Sequence, residues 1–197
     1  MLNRLFIING SPRKKGNTSN VIKWVASAAI EKGAHVEIID AVKLAKENNG
    51  CRGCRQCNTS EDYTCVIKDD TSLTIARMLK SNVVIFATPV YFGSFPGQLK
   101  QFIDRMYCLK KIHQNGFSIS PALKDVSVAL IAVSGAGEEF GLNFLSSHMR
   151  AIFSGLDKDI EELLIPSCPP EIDKIKSNTR IKKRTLAFGK MLAEKID

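Results

Sequence analysis

Short apolar runs alternate with longer amphipathic segments along this chain. Five runs that are continuously apolar or alternate in polarity predict β-strands, and they cover 4–10, 35–40, 82–90, 126–135 and 159–166. Five segments with apolar residues at helical spacing predict helices, over 17–33, 69–81, 96–109, 139–156 and 177–196. Because strand and helix alternate and most strands are apolar throughout, the pattern predicts an α/β fold: a doubly wound, five-stranded parallel sheet with helices on both faces.

The ends of the predicted helices carry recognisable signals. Gly33 follows the first helix, where a residue with positive φ commonly closes a helix. Asp69, Asp70 and Thr71 are candidate caps for the second helix, and Pro96 suits the first turn of the third. These signals support the same order of elements.

One segment breaks the alternation. "CRGCRQCNTSEDYTC", from Cys51 to Cys65, is polar and has neither helical nor strand periodicity, which predicts a cysteine-rich loop at about 43–68. No internal repeat or low-complexity linker interrupts the chain, so we expect a single domain over 1–197.

Composition and charge narrow the classes of protein. With 44% hydrophobic and 24% charged residues among 197, the chain is typical of globular proteins. No apolar run approaches the ~20 residues of a membrane helix and no signal peptide is recognisable, so we expect a cytoplasmic protein that does not enter a membrane. The net charge is +8, but the basic segment 173–184 has no interleaved aromatic residues, so we expect no nucleic-acid binding.

The loops that follow the first, third and fourth predicted strands are where a ligand of such a sheet binds. The first, "GSPRKKGNTS", leads into a helix, and its amide groups and hydroxyls suit an anion such as a phosphate monoester. It matches neither the Walker A pattern nor G-x-G-x-x-G. A capped helix after a tight turn would have the same composition, and the loop alone does not decide between the two.

The other two loops add a different chemistry. "TPVYFGS" places Tyr91 and Phe92 directly after a buried strand, where they would supply stacking surface for a flat ligand. "SGAGEEFG" is rich in glycine and could present backbone N–H groups to the edge of a heterocycle. Its glycine spacing is one residue too long for a dinucleotide fingerprint.

The four clustered cysteines allow three interpretations. In a reducing compartment clustered cysteines more often bind metal or carry out redox chemistry than form structural disulfides. The spacing of two, two and seven residues between them is compatible with an iron–sulfur cluster, with zinc, or with free thiols that shape the loop.

Taken together, "NGSPRKKGNTS", "TPVYFGSFPGQLKQFIDR" and the cysteine run resemble the flavodoxin-like NAD(P)H-dependent FMN reductases, and among them the iron–sulfur flavoproteins. The resemblance implies a flavodoxin-like fold with strand order 2-1-3-4-5 and bound FMN. It implies that the FMN phosphate lies at Ser11, Arg13, Asn17, Thr18 and Ser19, and the flavin ring against Pro89, Val90, Tyr91, Phe92, Gly93 and Ser94. It also implies that Ser134, Gly135, Ala136 and Gly137 contact the polar edge of the flavin, and that Cys51, Cys54, Cys57 and Cys65 hold a [4Fe-4S] cluster.

The function that this resemblance implies is an FMN-dependent oxidoreductase. Electrons would pass from NAD(P)H through FMN to a quinone, a second flavin or another small acceptor, and no catalytic side chain is named because FMN carries the chemistry. An alternative is an electron carrier with FMN and a [4Fe-4S] cluster that a ferredoxin reduces. A third alternative is a flavodoxin-like regulatory scaffold. The resemblance further implies a homodimer or homotetramer.

Overall fold

The structure, a computed structural model, describes residues 3–44 and 50–195. The strands are β1 Arg4–Asn9, β2 His35–Asp40, β3 Val83–Pro89, β4 Lys110–His113, β5 Gly116–Ile119, β6 Ser127–Val133 and β7 Glu161–Ile165. The α-helices are α1 Asn17–Glu31, α2 Ala41–Leu44, α3 Gln56–Thr59, α4 Asp70–Met78, α5 Gly97–Arg105, α6 Pro121–Lys124, α7 Leu142–Ile152, α8 Ile172–Ser177 and α9 Thr179–Glu194. Short 3-10 turns occupy Met106–Leu109 and Glu138–Phe140.

The main sheet has five parallel strands in the order β2-β1-β3-β6-β7. Counted along this sheet alone, that is the order 2-1-3-4-5 implied by the resemblance, and the predicted doubly wound fold is confirmed. The central strands are buried almost throughout, which explains why they read as continuous apolar runs.

Each face of the sheet has its own hydrophobic core. Alternate residues of the strands point to opposite faces, so Phe6 and Phe86 enter one core while Ile7 and Ile85 enter the other. Helices α4, α5 and α7 cover the first core, and α1 and α9 cover the second. Gly189 of α9 allows these two helices to approach closely, because a Cβ there would lie 2.5 Å from the Val25 carbonyl oxygen.

The cap predicted for α4 is present. Asp69 accepts a hydrogen bond from the Ser72 backbone N–H at 2.9 Å, and the Ser72 hydroxyl forms the reciprocal bond with the Asp69 backbone N–H at 3.0 Å. Gly33, with φ of 85°, follows α1 as expected. Pro96 lies one residue before α5 rather than within its first turn.

The antiparallel hairpin β4–β5 was not predicted. Its turn contains Asn115, followed by Gly116 with φ of 137°, and an Asn-Gly pair between strands is a hairpin signal. Of the cysteine-rich loop predicted at 43–68, residues 43 and 44 form the end of α2 and residues 45–49 lie outside the described residues. The segment 50–68 is irregular apart from the short helix α3. Within the described ranges, none of the helices is both long enough and apolar enough to cross a membrane.

Candidate functional site

A cavity of about 440 Å³ lies at the carboxyl edge of the parallel sheet. It is lined by Ser11, Arg13, Lys15, Gly16, Asn17, Thr18, Pro89, Val90, Tyr91, Val133, Gly135, Cys168 and Pro170. The three loops selected from the sequence thus meet around one space, joined by the loop after β7. The volume is within the range of cofactor pockets.

The loop after β1 holds its shape through bonds among its own residues. Asn9 donates to the Asp40 carboxylate at 2.9 Å and accepts from the Ser11 backbone N–H at 3.0 Å. The Ser11 hydroxyl accepts from the Arg13 N–H at 3.2 Å, and the Ser19 hydroxyl donates to the Arg13 carbonyl at 2.9 Å. Ser19 therefore braces the loop from beneath and does not line the cavity.

The N-terminus of α1 opens on this cavity without a capping side chain. The N-cap residue is Gly16, no side chain accepts from the first-turn N–H groups, and the first turn has no acidic residue. These N–H groups and the positive end of the helix dipole, together with the lining cations Arg13 and Lys15, suit an anion. Thr18 is buried beside them.

Asn17 joins this loop to the loop after β7. Its side-chain N–H donates to the Pro169 carbonyl at 2.5 Å, while its Oδ1 is buried and has no hydrogen-bond partner among the residues that the structure describes. The β7 loop is held in turn by the third loop, since Cys168 N–H donates to the Ser134 carbonyl at 2.8 Å. Asn17 Oδ1 is thus an acceptor available to a ligand in the cavity.

The loop after β3 ends in a tight two-residue turn. Tyr91 and Ser94 exchange backbone hydrogen bonds of 2.9 and 3.0 Å around Phe92 and Gly93, which both have positive φ, of 48° and 76°. Tyr91 lines the cavity, whereas Phe92 points into solvent and, with Gly93 and Ser94, lies outside the lining.

The third loop contributes mainly through Gly135. Ser134 is buried, and its hydroxyl accepts from the Ala136 N–H at 3.0 Å. Ser134, Ala136 and Gly137 do not line the cavity, so their predicted contact with a flavin stays a prediction. Five further residues line the cavity and were not predicted from the sequence: Lys15, Gly16, Val133, Cys168 and Pro170. Cys168 and Pro170 could have been found by also inspecting the loop after the fifth strand.

The four clustered cysteines line a second, much smaller cavity of about 20 Å³. They are joined there by Cys108, by Arg105, and by Arg52 and Arg55 from the loop itself. None of the six cysteines, all of which lie within the described ranges, forms a disulfide. Within the described ranges no three His, Cys, Asp or Glu side chains are placed as a metal ion would require.

The hairpin β4–β5 braces the seven-residue gap between Cys57 and Cys65. Asn58 donates to the Ile112 carbonyl at 3.2 Å and accepts from its N–H at 2.6 Å. The Tyr63 hydroxyl bonds Ser118 at 3.0 Å, and the Lys111 ammonium lies 4.5 Å from the centre of the Tyr63 ring. The unpredicted hairpin thus brings the fourth cysteine back to the first three.

Two of the thiols are shielded from water. Burial raises the pKa of Cys57, and the neighbouring Cys65, Cys51 and Cys54 add to the rise. Burial likewise raises the pKa of Cys108 to about 12, with further contributions from Cys65 and Cys57. The sulfurs are therefore close enough to influence one another's charge.

The sheet order and the cavity at the carboxyl edge define a flavodoxin-like α/β protein with a ligand pocket at the usual place. The family model for NADPH-dependent FMN reductase matches residues 3–157, and the chain belongs to that family.

Known relatives agree with this assignment. An iron–sulfur flavoprotein of Methanocaldococcus jannaschii is 38% identical over 98 residues, which cover 50% of this chain and 49% of that protein. One from Methanosarcina thermophila is 35% identical over 105 residues, 53% of this chain and 52% of the relative. The chain thus spans about half the length of these curated relatives. Among solved structures, the NAD(P)H:quinone oxidoreductase of Methanothermobacter marburgensis has the same fold, with a TM-score of 0.73 and 13% identity over 100% of both chains.

Proposed function

We propose that this protein binds FMN in the larger cavity and passes electrons from NAD(P)H to a quinone, a flavin or another small acceptor. The observation that carries the proposal is that the uncapped N-terminus of α1 and the Tyr91 loop face one cavity. A cofactor with an anionic end and a flat ring suits that combination. Family membership and the shared fold of known reductases support it.

The residues present fit FMN at both ends. Ser11, Arg13 and Thr18 and the amides of α1 would hold the phosphate, with Lys15 adding charge. The unpartnered Asn17 Oδ1 would accept from a ribityl hydroxyl. Pro89, Val90 and Tyr91 would contact the flavin ring, and Phe92, Gly93 and Ser94 would make outer contacts with it. The segment from Ser134 to Gly137 would contact the polar edge of the flavin.

Bound FMN would supply hydride acceptance and onward electron transfer. The side chains of this protein would bind and orient the cofactor and keep water from its buried face. No acid or base is required of them, because FMN itself would accept the hydride. The physiological acceptor and the choice between NADH and NADPH would be found by anaerobic titration with each nucleotide while flavin bleaching is followed.

Substitutions in the loop after β1 test the proposed phosphate site directly. Arg13→Ala should weaken FMN binding about 10- to 100-fold, because a charge-assisted hydrogen bond contributes about 1.5–3 kcal/mol. Thr18→Val, which removes only a hydroxyl, should weaken it by up to about tenfold. Flavin fluorescence on serial dilution measures both constants. Lys14→Ala is the matched control, since Lys14 adjoins Arg13 but does not line the cavity, and it should bind FMN normally. Unchanged affinity in all three variants would place the phosphate elsewhere.

A second function, favoured by four thiols lining one cavity, is electron transfer through FMN and a [4Fe-4S] cluster reduced by a ferredoxin. Cys51, Cys54, Cys57 and Cys65 match such a cluster in donor type and number, and Arg52 and Arg55 would offset the net −2 charge of the ligated centre. Zinc and free thiols are the competing occupants of the loop. Iron and acid-labile sulfide, measured after anaerobic purification, distinguish the three.

The assembly that fits this site is a homodimer or homotetramer. The aromatic surface, formed by Tyr91, Phe92, Phe140 and Phe144, is exposed beside the larger cavity. Its parts adjoin, because a Cβ on Gly141 would lie 3.0 Å from the Gly93 Cα. An exposed apolar patch of this kind is typical of an interface between subunits.

Replacing Phe92 and Phe144 together by serine should convert the assembly to monomers, because it removes much of the apolar area that a second copy would cover. Light scattering coupled to size exclusion gives the mass. Phe117→Ser is the control, since Phe117 is a half-exposed aromatic on the hairpin β4–β5 and outside this surface. A monomeric parent protein, or a double variant of unchanged mass, would contradict the assignment of the interface.

A further inference from the structure

Arg105, at the end of α5, is the largest fully buried side chain of the described residues, with 1% of it exposed. Its two terminal nitrogens donate to the Asp69 carboxylate, Nη1 at 2.9 Å and Nη2 at 3.0 Å. Nη2 also donates to the Ile67 carbonyl at 3.1 Å. The guanidinium, at the end of α5, therefore holds the segment just after Cys65 through hydrogen bonds to Ile67 and Asp69.

One donor of this guanidinium is not used by the protein. Arg105 Nε is buried and has no hydrogen-bond partner among the described residues. A buried N–H group without an acceptor is rare, so this donor is available to an acceptor that occupies the adjoining cavity. Nη1 and Nη2 both donate to Asp69, and Nη2 also donates to Ile67, so the unpartnered Nε–H does not result from a poorly placed side chain.

Arg105 lines the same small cavity as the four cysteines. Cys65 lines this cavity together with Arg105, so its sulfur and the guanidinium face the same space. In contrast, Arg52 and Arg55 lie on the exposed loop itself and face water. Arg105 is thus the cation that approaches the thiols from the protein interior.

We propose that Arg105 is a positioning residue for an iron–sulfur centre: its Nε–H donates to a sulfur at Cys65 and so fixes the fourth ligand. This inference rests on the proposed [4Fe-4S] occupancy of the loop. Hydrogen bonds to the sulfurs of such a centre set its reduction potential. A buried donor with a full positive charge stabilises the more negative, reduced state, so Arg105 raises the potential.

The test compares two variants that alter the two partners of the same ion pair. Arg105→Lys keeps the positive charge and loses Nε–H, whereas Asp69→Asn weakens the ion pair and keeps Nε–H, the helix cap and one acceptor. Both proteins are purified anaerobically with FMN and iron quantified. The midpoint potential of the cluster is then measured by titration followed by electron paramagnetic resonance.

We expect Arg105→Lys to lower the equilibrium constant for cluster reduction about tenfold, a shift of about 59 mV for one electron. Asp69→Asn should shift it by much less. Loss of iron from Arg105→Lys alone, with FMN retained, supports the same role. Equal effects of the two variants, on iron or on potential, would reduce Arg105 to a structural residue and overturn the proposal.

A measurement on the unaltered protein covers the case in which neither variant folds. With arginine labelled by ¹⁵N, pulsed electron resonance of the reduced cluster should detect coupling to an arginine nitrogen. If a protein with full iron showed no such coupling, the proposed role of Arg105 would be overturned, whereas the presence of the cluster would still be supported. A parent protein with full FMN and neither iron nor sulfide would instead overturn the cluster, and this inference with it.

Discussion

Cys57→Ser is expected to strip most of the iron from anaerobically purified protein, from about four irons per chain to less than half of that, while FMN remains bound. Cys57 is the buried member of the four clustered thiols, so no other ligand from solvent or from the loop can replace its sulfur easily. FMN should remain because its proposed residues line a separate cavity built by other loops. Iron, labile sulfide and flavin are measured on the same sample.

Two other buried thiols serve as controls for this result. Cys168→Ser alters the larger cavity and should keep its iron. Cys108→Ala alters a neighbour of the four thiols that lies outside the cysteine run, and it should keep its iron as well. If Cys108→Ala lost its iron while Cys57→Ser kept it, Cys108 and not Cys57 would be the fourth cluster ligand. If the parent protein contained full FMN but no iron or sulfide, the cluster would be excluded and the proposal of an FMN reductase without a cluster would stand.

Asp69→Ala should lower the free energy of unfolding by about 3–5 kcal/mol, which is the usual cost of leaving one partner of a buried ion pair without the other. The change strands the buried guanidinium of Arg105 and also removes the cap of α4. Urea unfolding followed by circular dichroism measures the loss. Asp69→Asn should lose less, because asparagine still caps the helix and still accepts a hydrogen bond. Equal stability of Asp69→Ala and the parent would contradict the energetic importance of this pair.

The same pair predicts how stability depends on acidity. Burial alone would raise the pKa of Asp69, but the hydrogen bonds from Arg105 and from the Ser72 N–H outweigh it and hold the pKa below its ordinary value of 3.8. A lowered pKa means that the stabilisation is fully present above the ordinary value and is lost as the pH falls through the lower one. The parent should therefore lose stability in acid below about pH 4 more steeply than Asp69→Asn does.

The two cavities are lined by different structural elements. The larger one uses the loops at the carboxyl edge of the parallel sheet, where a flavodoxin-like fold always provides a pocket. The smaller one is lined by the loop after β2, by the end of α5 and by the 3-10 turn that follows it, and the hairpin β4–β5 braces that loop. Because the two cavities share no lining residue, the proposed FMN and the proposed cluster should be lost independently, and iron and flavin are therefore measured together.

The sequence by itself determined the order of the five strands of the main sheet and of the five longer helices, and it indicated three of the four loops that form the larger cavity. The apolar runs of strands that are buried on both faces are local patterns. The 3.6-residue repeats of the helices and the cap candidate Asp69 are local patterns as well. Parallel strands then bring their carboxyl ends to one edge whatever the details of packing, so Ser11, Tyr91 and Gly135 had to meet there.

Only the tertiary structure decided the roles that depend on distant partners. Arg105 and Asp69 are 36 positions apart, and in the sequence Arg105 is one more basic residue at the end of a helix. The hydrogen bond from Asn17 to Pro169 joins residues 152 positions apart, and it closes the larger cavity with a loop that carries no motif. Such contacts arise from how whole elements pack, because many side chains could have filled the same space. No local pattern records which ones meet.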